Sequence, residues 1–279
     1  MSANRKFTTP PPGHRPLTAR SVLASALLGQ DPPRLPVSQL VRLAEAFNIN
    51  ENRARVALSR MVANAEVRVD NGSYHLISPN LLARQQRLKV GRSGSTKAWK
   101  GTWVVAIISP LPATPSRRAD RRRQLVQARF GEYRDGVWVR PDNLGPDILG
   151  PNILGPDILG PDILGADDFF IVGTQTEADN RPLSFANAVH RMWDLSAWTA
   201  IANDLIDRLA ALDPSELQPT DQGKLAACFE LSAACLRHFQ SDPLLPAELL
   251  PDAWPGGTLR ARYTTWDISY RNILKRNAQ

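Results

Sequence analysis

The chain has 279 residues, of which 43% are hydrophobic and 22% charged, with a formal net charge of +7; that is long enough for two or three folding units, each burying its own core. No apolar run approaches the roughly 18 residues of a membrane-spanning helix, and Met1 to Pro16 holds no apolar stretch of the signal-peptide kind, so the chain reads as cytoplasmic. Residues 1–140 carry 24 Lys and Arg against 8 Asp and Glu, and residues 141–279 carry 10 against 19. A basic half joined to an acidic half points to a polyanion-binding module attached to something with another task.

Residues 1–16 are polar and Pro-rich, with too little apolar surface to order themselves, and are expected to form a disordered arm. Thr18 is a good N-cap for a first helix through Val22, Leu23, Ala26 and Leu27, stopped by Gly29. Pro32, Pro33 and Pro36 then predict a rigid connector. Val37 to Phe47 reads as a second helix with Leu40, Val41, Leu43 and Ala44 inward, and Asn48-Ile49 as a tight turn. Asn50 should cap a third helix reaching about Asn64, with Glu51 favoured at the positive end of its dipole.

With successive residues about 100° apart, Ala54, Ala57, Leu58, Met61 and Ala65 share one face of this third helix. Asn52, Val56, Ser59 and Ala63 share the opposite face, flanked by Arg53, Arg55 and Arg60. Glu66 to Val69, Asn71-Gly72 and Tyr74 to Ile77 predict a hairpin with a two-residue type I′ turn. Helix, helix, turn, helix and hairpin is the order of a winged helix. An outward helix face rich in Arg and Asn suits major-groove reading, because Arg addresses guanine and Asn addresses adenine through paired hydrogen bonds. The candidate DNA contacts are Asn50, Asn52, Arg53, Arg55, Val56, Ser59 and Arg60, with Arg68, Asn71 and Tyr74 from the wing. The following basic residues (Arg84, Arg87, Lys89, Arg92, Lys97, Lys100) could meet phosphates.

Farther along, Thr102 to Ser109 reads as a buried strand, Ser116 to Phe130 as a helix ended by Gly131, Val137 to Arg140 as a strand, and Phe169 to Gly173 as another. Alternating strands and helix suit an α+β domain. Between the last two strands stands a tandem repeat with a five-residue period, PDILG, PNILG, PDILG and PDILG, ending at Gly165. Pro and Gly in each unit break helix and strand alike, so the repeat reads as an expanded loop, with docking of its Ile-Leu pairs on a partner as the alternative. Asp167-Asp168 reads as a turn before a strand. From Leu183 the pattern is helical, with apolar stripes from Ala188 to Leu212, Ile201 included, and from Leu225 to Phe239; such stripes serve a core or a dimer interface.

Cys228 and Cys235 lie on one face of one helix, too far apart to pair. His14, His75, His190 and His238 never fall at metal-ligand spacing, so no metal and no cofactor is expected. The sequence also lacks GxSxG, P-loop and HExxH motifs and any nucleophile with a base nearby, so no catalytic residue is assigned.

The stretch Phe47-Asn48-Ile49-Asn50-Glu51, with Arg55 and Ala57-Leu58-Ser59-Arg60-Met61, resembles the recognition-helix motif of the PaaX-like regulators, the phenylacetic acid degradation operon repressors. Trp138 to Leu144, Trp193-Asp194-Leu195 and Asp242 to Gly256 extend the resemblance over roughly residues 17 to 275. The resemblance implies an α+β multidomain fold: a winged helix-turn-helix at 17–80, a basic linker at 81–100, a ferredoxin-like α+β domain at 101–178 with the repeat inserted at 146–165, and a helical C-terminal dimerisation domain at 179–279. It implies a homodimeric repressor of a catabolic operon on double-stranded operator DNA, released by an aryl-acyl-coenzyme A effector, and not an enzyme. Candidate effector contacts are Arg118, Arg122, Arg123 and Arg140, with His190 and Trp193; the arginines that start the helix read first as a solvated basic face and otherwise as contacts to DNA or to coenzyme A phosphates, and His190 and Trp193 read first as core residues. Alternatives are an enzyme acting on acyl-coenzyme A or nucleic acid, and a constitutive DNA-binding protein without effector. Family members often carry a charged residue where this chain has Asn52, Thr where it has Val56, and several arginines in the wing where Asp70 to Ser73 has none, which implies an operator sequence of its own.

Overall fold

The computed structural model describes residues 18–94, 96–108, 114–144, 170–176, 184–218 and 221–277. It is a mixed α+β structure with two small antiparallel sheets. The expected arm at 1–16, the repeat at 146–165 and the Asp167-Asp168 turn lie outside the described residues. The chain divides into two compact units, the first running to Leu82 and the second spanning Ala83–Arg276.

In the first unit, α1 (Ala19–Leu28) begins with a reciprocal cap: Thr18 Oγ1 accepts from the Ser21 amide and Ser21 Oγ accepts from the Thr18 amide. Three further elements precede the hairpin: β1 (Arg34–Pro36), α2 (Val37–Glu45) and α3 (Glu51–Ala63). The hairpin strands are β2 (Val67–Asp70) and β3 (Ser73–Leu76). Val22, Leu23, Leu27, Leu40, Ala44, Ala54, Leu58 and Met61 are fully buried and form the core between the helices.

Two sequence expectations change here. The proline segment is not a mere connector: Arg34–Pro36 is an edge strand, pairing antiparallel with β3 in a sheet of order β1-β3-β2. At an edge the amide that Pro36 lacks is not needed by a second neighbour. Ala65 does not continue the inward face of α3. It is exposed at φ 52, while the Ala65 amide donates to Val62 O and the Glu66 amide to Met61 O. That is a Schellman stop with Ala in the left-handed position usually taken by Gly.

α4 (Pro79–Ser93) occupies much of the segment expected as a basic linker. In the second unit, β4 (Thr102–Ile108), β5 (Gly131–Arg134), β6 (Val137–Pro141) and β7 (Phe170–Thr176) form an antiparallel sheet of order β5-β6-β4-β7. β6 therefore lies between β4 and β5, and α5 (Pro115–Gln127) joins those two. Strand β5 was not foreseen, and Gly131 does not end α5. The helix stops at Arg129 (φ 68) with the Phe130 amide donating to Leu125 O. Gly131 opens β5 instead, and glycine is needed there because a Cβ would come within 2.8 Å of Met192 and Trp193 side-chain atoms.

The sheet has two dissimilar faces. Trp103 and Val139 pack with Val189 and Leu245, surrounded by Phe185, Met192 and Trp193. Trp138 and Arg140 alternate to the other face, where Arg122 lies over the Trp138 ring and Arg140 over Phe130. Among the described residues the remaining α-helices are the one-turn α6 (Val189–Met192), α7 (Leu195–Ala211), α8 (Gln222–Ser241) and α9 (Gly256–Asn277). Trp198, Ala202, Leu205 and Leu209 of α7 are buried, as are Leu225, Cys228, Leu231, Cys235 and Phe239 of α8. Ile201, expected on an apolar stripe, is 52% exposed.

Candidate nucleic-acid interface

α3 is presented by a short reversal after α2. The Phe47 and Ile49 amides both donate to Ala44 O, and Asn48 takes φ 57, a conformation that Asn tolerates better than most residues. Asn50 then caps α3, its Oδ1 accepting from the Arg53 amide at 2.9 Å. This bond engages Oδ1 of Asn50 and fixes where α3 begins. Ala54, Leu58 and Met61 point into the core at 0% exposure, which leaves Asn52, Arg53, Val56, Ser59 and Arg60 exposed on the other side.

Arg55 is held at 2.7 Å by Glu51, one turn earlier, in an exposed pair. Such pairs are worth a few tenths of a kcal/mol, about 0.3–0.5, so Arg55 remains recruitable. No ion pair engages Arg53, Arg60 or Arg68 among the described residues. The hairpin turns through Asn71 (φ 46) and Gly72 (φ 71), both positive as a type I′ turn requires, with Asp70 opposite Ser73. Tyr74 is half-buried and pairs with Val69 and Leu35 on the inner face of the sheet.

On the outer face the register places the guanidinium groups of Arg34 and Arg68 on either side of the His75 imidazole, across three strands. Sequence reasoning found Arg68 alone. Arg34 was missed because a three-residue strand flanked by prolines carries no alternation to read, and His75 because its neighbours were not known.

The six candidate effector contacts are not brought together. Arg118 is exposed, Arg122 pairs with Glu132, and Arg123 pairs with Asp120 on its own helix. Arg140 is 1% exposed, its Nη1 donating to Pro141 O at 3.3 Å while its Nε finds no partner. Burial pulls its pKa down to about 10 against the pull of Asp142. Trp193 packs against the opposite face of the sheet, and His190 is exposed rather than in a core.

In the second unit one network of buried polar groups centres on Asp242, which is 2% exposed. Its Oδ1 accepts from the Leu244 amide at 2.9 Å and its Oδ2 from Arg260 Nη2 at 2.7 Å. Arg260 also donates through Nε to Gly91 O of α4 and through Nη1 to Gly256 O. Asn143, just after β6, donates to Leu244 O at 2.7 Å, and Arg129 donates to Gln240 O. Burial holds the Arg129 pKa down to about 10. The segment Asp242 to Leu245 thus clasps α4, the end of the sheet and the start of α9. Beside it His238 stacks on Trp198 at 4.2 Å, and Trp198 stacks on Trp254 at 4.3 Å.

Among the described residues no group of three or more His, Cys, Asp or Glu could hold a metal, and no helix is long and apolar enough to cross a membrane.

Comparison with known proteins matches three segments to one family. Residues 18–77 match the PaaX-like protein model, 96–150 the PaaX protein central Cas2-like domain, and 193–277 the PaaX-like protein C-terminal domain. The Transcriptional repressor PaaX of Escherichia coli (strain K12) is 24% identical over 233 residues, covering 80% of this chain and 70% of that protein. A solved structure of an uncharacterized protein from Mycobacterium tuberculosis is 35% identical with a TM-score of 0.70, covering 94% of this chain and 99% of that one. With all three segments matched in order, this chain belongs to the PaaX-like family.

Proposed function

We propose that the chain is a sequence-specific DNA-binding transcriptional repressor of a catabolic operon, acting from the cytoplasm as a homodimer and released by an aryl-acyl-coenzyme A. The observation that carries this reading is α3: a capped helix whose outward face holds exposed Asn52, Arg53, Ser59 and Arg60 and is followed at once by a hairpin. The first unit reads as a winged helix-turn-helix in which α3 enters the major groove and the hairpin is the wing. Arg53 and Arg60 are long enough to address guanine edges, and Arg68 with Asn71 serves the phosphates.

Membership in a family that includes a named transcriptional repressor supports the regulatory role. The order β5-β6-β4-β7, with α5 crossing between parallel β4 and β5, supports a ferredoxin-like reading of residues 101–178. The long helices of residues 179–279 are then the dimerisation domain. Effector phosphates would find cations on α5, where Arg118 is exposed, but the dispersal of the other candidates favours no single pocket.

The test is a gel shift with the DNA upstream of the chain's own gene, repeated across salt concentrations and with phenylacetyl-coenzyme A added. A specific complex that weakens with salt and dissociates with the acyl-coenzyme A is the expected result. Absence of any specific complex overturns the DNA-binding reading. Indifference to the acyl-coenzyme A overturns the effector assignment alone, and turnover of the acyl-coenzyme A would move the chain to the enzymes.

A further inference from the structure

The centre of the outward face of α3 is apolar. Taking about 100° per residue, Val56 stands almost diametrically opposite the buried Ala54, Leu58 and Met61. Asn52 and Ser59 lie to one side of it and Arg53 and Arg60 to the other, all exposed, and Val56 itself is 44% exposed. The helix does not ask for valine there. A β-branched side chain loses rotamer freedom in a helix and helps it less than Ala, Lys or Glu would. Neither does the core, since Val56 points away from it.

A partner that fits this face must be polar and anionic at its periphery and offer an apolar spot of methyl size at its centre. Duplex DNA has such a spot in the major groove: the C5-methyl of thymine, which no other base carries. Duplex RNA does not, because its major groove is too narrow for side chains and uracil has no methyl.

We propose that Val56 is a base-reading residue whose isopropyl group packs on the C5-methyl of a thymine, making that position of the site obligatorily thymine. Asn52, one turn earlier on the same face, lies within reach of the neighbouring base pair, where its amide suits adenine. The assignment rests on the DNA-binding reading above and adds to it a named base at a named residue.

The experiment selects duplexes from a random pool with the full chain, then replaces each thymine of the selected site, one at a time, by deoxyuridine. Removing one buried methyl group should weaken binding about fourfold at the position Val56 reads. Val56→Thr, which keeps a methyl, should retain that sensitivity. Val56→Ser should lose it, so that thymine and deoxyuridine bind alike. Because Val56 is exposed, both variants should keep the circular dichroism of the parent. A selected site with no uridine-sensitive thymine, or one whose sensitivity is unchanged in Val56→Ser, overturns the assignment while leaving DNA binding intact. Failure to enrich any duplex overturns the DNA-binding reading and the assignment together.

Discussion

Loss of Asp242 should destabilise the second unit strongly. Its carboxylate is 2% exposed and receives the Leu244 amide on one oxygen and the Arg260 guanidinium on the other. Asp242→Ala leaves a largely buried Arg260 with the carbonyls of Gly91 and Gly256 and the Phe239 ring but no counter-charge, and leaves the Leu244 amide without its acceptor. Removing one partner of a buried pair costs about 3–5 kcal/mol. For a unit of this size that corresponds to a midpoint lowered by about 6–20 °C. All seven tryptophans fall between Trp99 and Trp266, so tryptophan fluorescence during thermal unfolding follows the second unit alone. Asp242→Asn, which keeps an acceptor for Leu244, should lose less. The Asp242→Ala, Arg260→Ala cycle should give a coupling of about 2 kcal/mol or more, within the range seen for residues of one network. It should change little with added salt, because the pair is shielded. A coupling under about 0.5 kcal/mol would show that the clasp does not depend on this pair.

Four further outcomes are expected. Ala65→Gly should stabilise the first unit by about 0.5–1 kcal/mol, since Gly adopts φ 52 without the left-handed penalty that Ala bears; thermal unfolding followed by circular dichroism checks this, and a loss of stability would contradict it. Arg60→Ala should weaken binding to the selected DNA by about 1–3 kcal/mol if Arg60 contacts a base bidentately, as measured by fluorescence anisotropy; equal losses on selected and random DNA would assign it to phosphate. Burial pushes both cysteine thiols up to about 12, so native protein should react with a thiol reagent at pH 8 only after unfolding, and rapid native reaction would refute their placement. Burial holds the His238 pKa below its ordinary 6.5, outweighing the hydrogen bond with the Trp198 backbone and the charge of Asp242, so the unfolded chain takes up the proton first as the pH falls. Stability should therefore decline from about pH 6.5 downward, and His238→Gln should remove that part of the decline in a pH series of urea midpoints.

The three-helix order, the cap at Asn50, the outward polar face of α3 and the Asn71-Gly72 turn were all legible in the sequence. Each rests on local chemistry: a side chain capping its own helix, a 3.6-residue period, a turn that needs positive φ. The resemblance carried by Asn50 to Met61 and Asp242 to Gly256 was legible for the same reason, as contiguous residues. Tertiary structure alone decided the rest. Strand β1 exists because β3 offers an edge to three residues with no pattern of their own. Gly131 lies in a strand rather than closing a helix, and the position takes glycine because Met192 and Trp193, some 60 residues on, fill the space a side chain would need. Arg140 is buried because strand alternation sends it, with Trp138, to the face opposite Val139, where it lies over Phe130, while Arg122 and Arg123 are engaged by Glu132 and Asp120. Why Asp242 stands in so specific a motif emerges only when Arg260, Asn143 and Gly91, distant in the chain, converge beside it. Local propensities act over a few residues, whereas the accounting of buried charge and space is settled by neighbours that the chain order does not name.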